Sequence, residues 1–160
     1  MKYFSSEVRM AARREHCQDP RMAADERLFF LLQSAAHRLR VEGDRRCLAA
    51  GGVTTAQLGA LLAVYDQPGL TQRELATELG QRESAITAMT GRLIEAGLIV
   101  RQPHPEQHRA LVLDLTPEGK ATITRLRPVI ESFNRELHAL LGDAFGPTSQ
   151  ALQYLAGWPG

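Results

Sequence analysis

The sequence predicts a mainly α-helical domain carrying one small β-hairpin, an α+β architecture. Three observations point there. Most of the 160 residues fall into stretches with apolar side chains at helical spacing. Residues 71–98 hold two such stretches hinged on Gly80. Directly after them come two short apolar runs, 98–101 and 111–115, parted by a polar stretch containing prolines.

Residues 1–20 read as an N-terminal extension. Ser5, Ser6 and Glu7 can cap a short helix to about Cys17, with Arg9, Arg13 and Arg14 exposed, and Asp19-Pro20 breaks it. A helix is expected over 22–49, where Leu28, Phe29, Leu31, Leu32, Ala35, Ala36 and Leu39 make an apolar face too wide for a single neighbour. Gly51-Gly52 ends it. Thr54 and Thr55 cap a helix over 55–65 with Leu58, Leu61, Leu62 and Tyr65 inward, and Pro68-Gly69 closes that one.

Thr71 followed by Glu74 has capping-box spacing, and Leu75, Ala76 and Leu79 give the next helix one apolar face before Gly80 stops it. A helix over 82–96 turns Ile86, Met89 and Leu93 inward and ends at Gly97. Its opposite face carries Ser84, Ala88, Gly91 and Glu95, flanked by Thr87 and Arg92. Small side chains there suit close approach to another macromolecule. Serine or threonine can bond base edges, and alanine can touch a thymine methyl.

Leu98–Arg101 and Leu111–Leu115 read as paired strands around the polar stretch Gln102–Ala110. Helix, turn, helix, then hairpin is a winged helix-turn-helix, whose hairpin tip can reach a minor groove or the DNA backbone. Pro117 suits the first position of a long helix to about Leu141, with Pro128 inside it and Ile123, Leu126, Val129, Ile130, Phe133, Leu137 and Leu140 at helical spacing. Gly142 stops it. A last helix over 147–156 carries Leu152, Tyr154 and Leu155. The division expected is a lobe over 54–116 and dimerisation helices over 21–50 and 117–160, within one domain over 21–160. Leu28, Phe29, Leu32, Phe133, Leu137, Leu140, Leu152 and Leu155 are the expected dimer contacts, because such helices offer more apolar surface than one small core needs.

Net charge is +1, so bulk charge does not point to nucleic acid. Between residues 70 and 113, Arg73, Arg82, Arg92, Arg101 and Arg109 balance Glu74, Glu78, Glu83, Glu95 and Glu106. DNA binding therefore requires the arginines on one surface with the glutamates turned away. No signal peptide and no membrane-length apolar run are evident, and the expected location is cytoplasmic, with no membrane partner. GxSxG, Walker, GxGxxG and HExxH patterns are missing, so no catalytic residues, and no enzyme, are expected. His104, Glu106 and His108 mimic ligand spacing, but in a proline-containing loop that spacing carries no geometry; neither metal nor cofactor is expected.

The run from Thr71 through Gly119 resembles the MarR family (multiple antibiotic resistance regulator) of bacterial transcription factors. The marks are Glu95–Arg101 (Glu-Ala-Gly-Leu-Ile-Val-Arg), the hairpin, and Leu115–Gly119 (Leu-Thr-Pro-Glu-Gly). The resemblance extends over about 25–142. It departs at the wing tip, where Gln107-His108-Arg109 stands for an Asp-Arg-Arg type of sequence, and at Ala88, where many members carry arginine in the recognition helix. It implies a homodimeric DNA-binding regulator, most often a repressor released by a small-molecule effector, acting on double-stranded DNA at a pseudo-palindromic operator. On that reading Arg73, Arg82 and Arg92 meet phosphates, Ser84, Thr87 and Ala88 face bases, and His108 and Arg109 sit at the wing tip. The resemblance also implies a pocket for small aromatic or phenolic acids, for which His37, Arg38, Arg45 and Tyr65 are the candidates. Two alternatives stand beside it: a winged-helix module for protein or ligand binding without DNA, and a redox-sensing regulator using Cys17, which has His16 and Arg14 nearby, or Cys47.

Overall fold

The computed structural model describes residues 25–104 and 110–158, with side chains from Arg27 onward. The chain divides into two units, Met1–Glu42 and Gly43–Gly160. The elements are α1 (Asp25–Gly51), α2 (Thr55–Asp66), α3 (Gln72–Glu78), α4 (Glu83–Glu95), β1 (Ile99–Pro103), β2 (Leu111–Leu115), α5 (Pro117–Leu141), a 3-10 turn (Gly142–Ala144) and α6 (Phe145–Ala156). The mainly helical fold with a two-stranded antiparallel hairpin is thus the one the sequence predicts.

The described part of the first unit is the leading stretch of α1. Leu28, Phe29, Phe30 and Leu31 follow one another there, and each is more than half exposed. Four successive residues point around the whole circumference of a helix, so this segment is apolar on every side.

The second unit holds the core. Leu61, Leu75, Ile86, Leu93, Ile99, Leu113 and Leu126 are completely buried, so α2, α3, α4, both strands and the first half of α5 share one apolar cluster. Their caps follow the sequence closely. Thr54 and Gln57 form a capping box at α2, and Thr71 and Glu74 form one at α3. Thr116 caps α5 by accepting from the Gly119 N–H at 2.9 Å. The Asp44 carboxylate accepts from the Thr55 N–H and hydroxyl at 2.7 and 2.5 Å, which ties the last turns of α1 to the start of α2. Farther along, Arg46 grips Glu136 of α5 with two 2.7 Å bonds and lies 5.0 Å from the centre of the Phe133 ring.

The strands pair from Ile99 with Leu115 to Pro103 with Leu111. On the other edge of β2, the Leu113 N–H donates to the Leu70 carbonyl at 2.8 Å, so the linker entering α3 is stitched to the hairpin. Three expectations need correction. Tyr65 does not face inward but is half exposed; Ala60 and Val64 join Leu58 and Leu61 in the buried side of α2 instead. The first strand begins at Ile99 rather than Leu98, and it runs on to Pro103, because Pro103 opposes Leu111 at the end of the ladder, where its missing N–H costs no inner bond. α6 starts at Phe145, two residues early, because the 3-10 turn passes directly into it. Arg82, at the N-cap of α4, makes no side-chain capping bond. No single described helix is long and apolar enough to cross a membrane.

Candidate nucleic-acid interface

The geometry of α4 begins with what it hides. Ile86, Met89, Thr90 and Leu93 are buried against the core, which leaves Ser84, Ala85, Thr87, Ala88 and Arg92 exposed and Gly91 half-buried between them. The outward side is therefore low and smooth over three turns. The Thr87 hydroxyl donates to the Glu83 carbonyl at 2.9 Å. A base edge meeting Thr87 thus encounters a methyl group and an accepting oxygen, while its proton is spent inside the helix.

The turn before α4 is tight. Gly80 takes φ 59°, and the Gln81 N–H returns to the Ala76 carbonyl at 2.9 Å, which closes the end of α3 and redirects the chain. Arg73 on α3 and Arg82 and Arg92 on α4 are all exposed, so three of the expected phosphate-binding side chains lie at the surface of these two helices. Arg73 approaches Glu83 at 3.9 Å, with both side chains mostly in water. So exposed a pair contributes little and yields readily to a stronger anion.

At the hairpin, Arg101 and Gln102 are exposed on β1, and the His104 N–H donates to the Ala110 carbonyl at 2.9 Å beyond the last ladder pair. His108 and Arg109 lie outside the described residues, as do Cys17 and the extension over 1–20. Ala85 joins the exposed surface although the sequence reading did not single it out, and so does Arg101, which that reading counted among the local arginines but gave no contact. Strand alternation puts Arg101 on the same face as the buried Ile99 and opposite the buried Leu113, so spacing alone hides its exposure.

Arg45 lines a shallow groove of about 400 Å³ with Arg46, Ala49, Pro128, Val129 and Ser132, between the last turns of α1 and the middle of α5. Tyr65 is half exposed and does not line that groove. His37 and Arg38 are exposed on the α1 segment of the first unit. A larger cleft of about 670 Å³ lies along α3 and reaches His104; its lining includes Gln67, Thr71, Arg73, Glu74 and Glu78. Glu74 is held below the usual carboxylate range, chiefly by the Thr71 backbone N–H and then by its hydroxyl. Among the described residues no group of three or more acidic, histidine or cysteine side chains is placed to hold a metal ion.

Comparison with known proteins fits this geometry. The sequence model of the MarR family matches residues 51–110. A Thauera aromatica protein assigned to transcriptional regulation of the hcr operon is 33% identical over 93 residues, which is 58% of this chain and 56% of that protein; the chain thus spans little more than half of that relative. Among solved structures, the transcriptional repressor CouR bound to a 23-mer DNA duplex is 33% identical, with TM-score 0.71 over 81% of this chain and 89% of that one. MarR itself is 30% identical, with TM-score 0.69 over 81% and 88% of the two chains. PcaV of Streptomyces coelicolor, in complex with its natural ligand, is 26% identical, with TM-score 0.69 over 84% and 93%.

Proposed function

The chain belongs to the MarR family of transcription regulators, and from that premise we propose that it is a homodimeric repressor that reads a pseudo-palindromic operator and leaves it when a small acid binds. The observation that carries this is the outward side of α4, where Ser84, Thr87 and Ala88 are exposed beside Gly91 with Arg82 and Arg92 around them. α4 enters the major groove, where the three small side chains face bases. Arg73, Arg82 and Arg92 neutralise phosphates, and His108 and Arg109 extend the wing to the neighbouring groove or backbone. The division into an extension over 1–20, a reading lobe over 54–116 and dimerisation helices over 21–50 and 117–160 belongs to the same reading. So does a cytoplasmic location, where a chromosomal operator is reached.

CouR bound to a DNA duplex supports the DNA half of this proposal, and PcaV with its ligand supports the effector half. An aromatic or phenolic carboxylate suits the groove at Arg45, an arginine beside apolar Pro128 and Val129. His37, Arg38 and Tyr65 remain candidate ligand residues by family resemblance. An effector acts by favouring one spacing of the two α4 helices over the other.

The balance of five arginines and five glutamates over residues 70–113 favours a second reading, a winged-helix interaction module without DNA. A salt titration against duplex from the chain's own upstream region separates the two. Operator binding gives a log K that falls linearly with log salt, and Arg82→Ala and Arg92→Ala each lower the slope by about one phosphate. Arg109→Ala weakens binding. A flat response with no preference for that duplex supports the module instead. The redox alternative narrows to Cys17, because burial first and the Asp44 charge second raise the Cys47 thiol above its ordinary range and disfavour a thiolate.

A further inference from the structure

Thr90 is one of two buried polar side chains among the described residues, and it sits on the recognition helix. It is completely buried, one turn beyond Thr87 and Ile86. Its hydroxyl donates to the Thr87 carbonyl at 3.2 Å and accepts a hydrogen bond from the Gln72 side-chain amide. Gln72 is the first residue of α3, directly after the Thr71 cap, whose N–H is held by Glu74 at 2.8 Å. A fixed helix start is thereby linked through one polar bond to the back of α4, at the level of the base-facing Thr87 and Ala88.

The other buried residues joining the two helices to the core are apolar: Leu75 and Ala76 on α3, Ile86, Met89 and Leu93 on α4. Apolar burial sets which side of α4 faces the core, but it is non-directional and holds small rotations about the helix axis less strictly than a directional bond does. A hydrogen bond is directional and weakens steeply when its angle changes. Rotation of α4 matters unequally for its two kinds of contact. Long arginine side chains can still reach phosphates after a small turn of the helix. Short Ser84, Thr87 and Ala88 cannot still meet the same base edges.

We propose that Gln72 and Thr90 are positioning residues for base readout, which set the rotation of α4 and so govern sequence discrimination rather than overall affinity for DNA. This rests on the operator-binding reading above. The test compares affinity for the upstream duplex and for a base-scrambled duplex of equal length, with salt slopes on both. Thr90→Val keeps the shape and removes the hydroxyl; Gln72→Met keeps the length and removes the donor. Each is expected to lower the ratio of specific to scrambled affinity about three- to tenfold, the worth of one net hydrogen bond. Scrambled-duplex affinity and salt slope stay at the wild-type value. Thr90→Ser, which keeps the hydroxyl, restores the ratio, and the double variant is no worse than the weaker single one because both remove the same bond.

Equal losses on both duplexes would mean that the bond only stabilises the lobe, and additive losses in the double variant would mean that the two residues act separately; either overturns the proposal. Gln72 is only half-buried, so Gln72→Met carries the test should Thr90→Val fail to fold. A wild-type protein that does not discriminate sinks the operator reading and this proposal with it. A discriminating wild type beside equally discriminating variants sinks the proposal alone.

Discussion

Gly119 shows how one missing side chain can hold a junction together. A Cβ there would lie 2.1 Å from the Leu98 carbonyl oxygen and 3.1 Å from its carbon, both backbone atoms that cannot swing aside. The first turn of α5 presses on the chain leaving α4, and the Thr116 hydroxyl donates to the Gly97 carbonyl at 2.7 Å within the same knot. Gly119→Ala must push the helix off the hairpin, so it is expected to destabilise the protein by about 2–3 kcal/mol. Gly59 in α2 is the contrast, since a Cβ there meets nothing within 4 Å. Gly59→Ala is expected to stabilise by about 0.5–1 kcal/mol through helix propensity. Urea midpoints of the two variants check the pair, and a tolerated Gly119→Ala would refute the close-packed junction. The glycine itself was visible in the sequence as part of Leu115–Gly119. Its reason was not, because the carbonyl it accommodates lies across the hairpin. The same holds for Thr90: its position on the inner side of α4 follows from spacing, but its partner Gln72 is eighteen residues away and on another helix.

Helices were the most legible elements because their punctuation is local. Gly80, Gly97 and Gly142 all take positive φ at the ends the sequence assigns them. The Thr54 and Thr71 caps form as the sequence suggests, and Thr116 adds one at α5, since a capping bond closes over three residues and needs no tertiary partner. Tyr65 was misplaced because its helical spacing from Leu58, Leu61 and Leu62 is real, yet the far end of α2 runs past the core. The outward face of α4 was legible for a related reason: once Ile86, Met89 and Leu93 are inward, Ser84 and Ala88 must be outward. α3 is only seven residues long, too short to persist alone, so its cap matters more than most. Glu74 is fully exposed, and its carboxyl is lowered first by the Thr71 N–H and then by the Thr71 hydroxyl. A lowered carboxyl contributes stability above the unfolded carboxylate range and loses it as pH falls through the folded value. Glu74→Gln keeps an accepting oxygen without titrating. The wild type is therefore expected to be the more stable at pH 7, with its advantage fading below about pH 4. Urea midpoints of both proteins from pH 7 to pH 3 measure the convergence, and parallel curves would show that Glu74 does not contribute through its charge.

For the whole molecule, the decisive quantity is apolar surface without cover. In the first unit Leu28, Phe29, Phe30 and Leu31 are exposed in succession, with the Phe29 and Phe30 rings meeting edge to face at 5.4 Å. In the second unit Leu140 is 80% exposed, and Leu152, Tyr154, Leu155 and Trp158 are also open. Leu32, Phe133 and Leu137 are only partly covered. Scattered exposed leucines need no explanation, but a helical segment apolar all round and a C-terminal stretch with several open aromatic and aliphatic side chains do. A two-fold pairing of chains would cover both, and it would also set two α4 helices one DNA turn apart for a pseudo-palindromic site. The excess of apolar surface was legible in the helical spacing, since both helices looked too apolar for one small core, whereas what covers that surface leaves no spacing signal within the chain. The expected outcome is a dimer in sedimentation at micromolar concentration, with a melting temperature that rises with protein concentration. Phe29→Asp and Leu155→Lys, combined, are expected to give a monomer with a melting temperature independent of concentration and no measurable preference for the upstream duplex. Both sites are exposed in the single chain, so were no dimer present the substitutions would be ordinary surface changes within about 0.5 kcal/mol. A wild-type protein that sediments as a monomer, or a double variant that pairs and binds as the wild type does, would reject this assembly and require another cover for these helices.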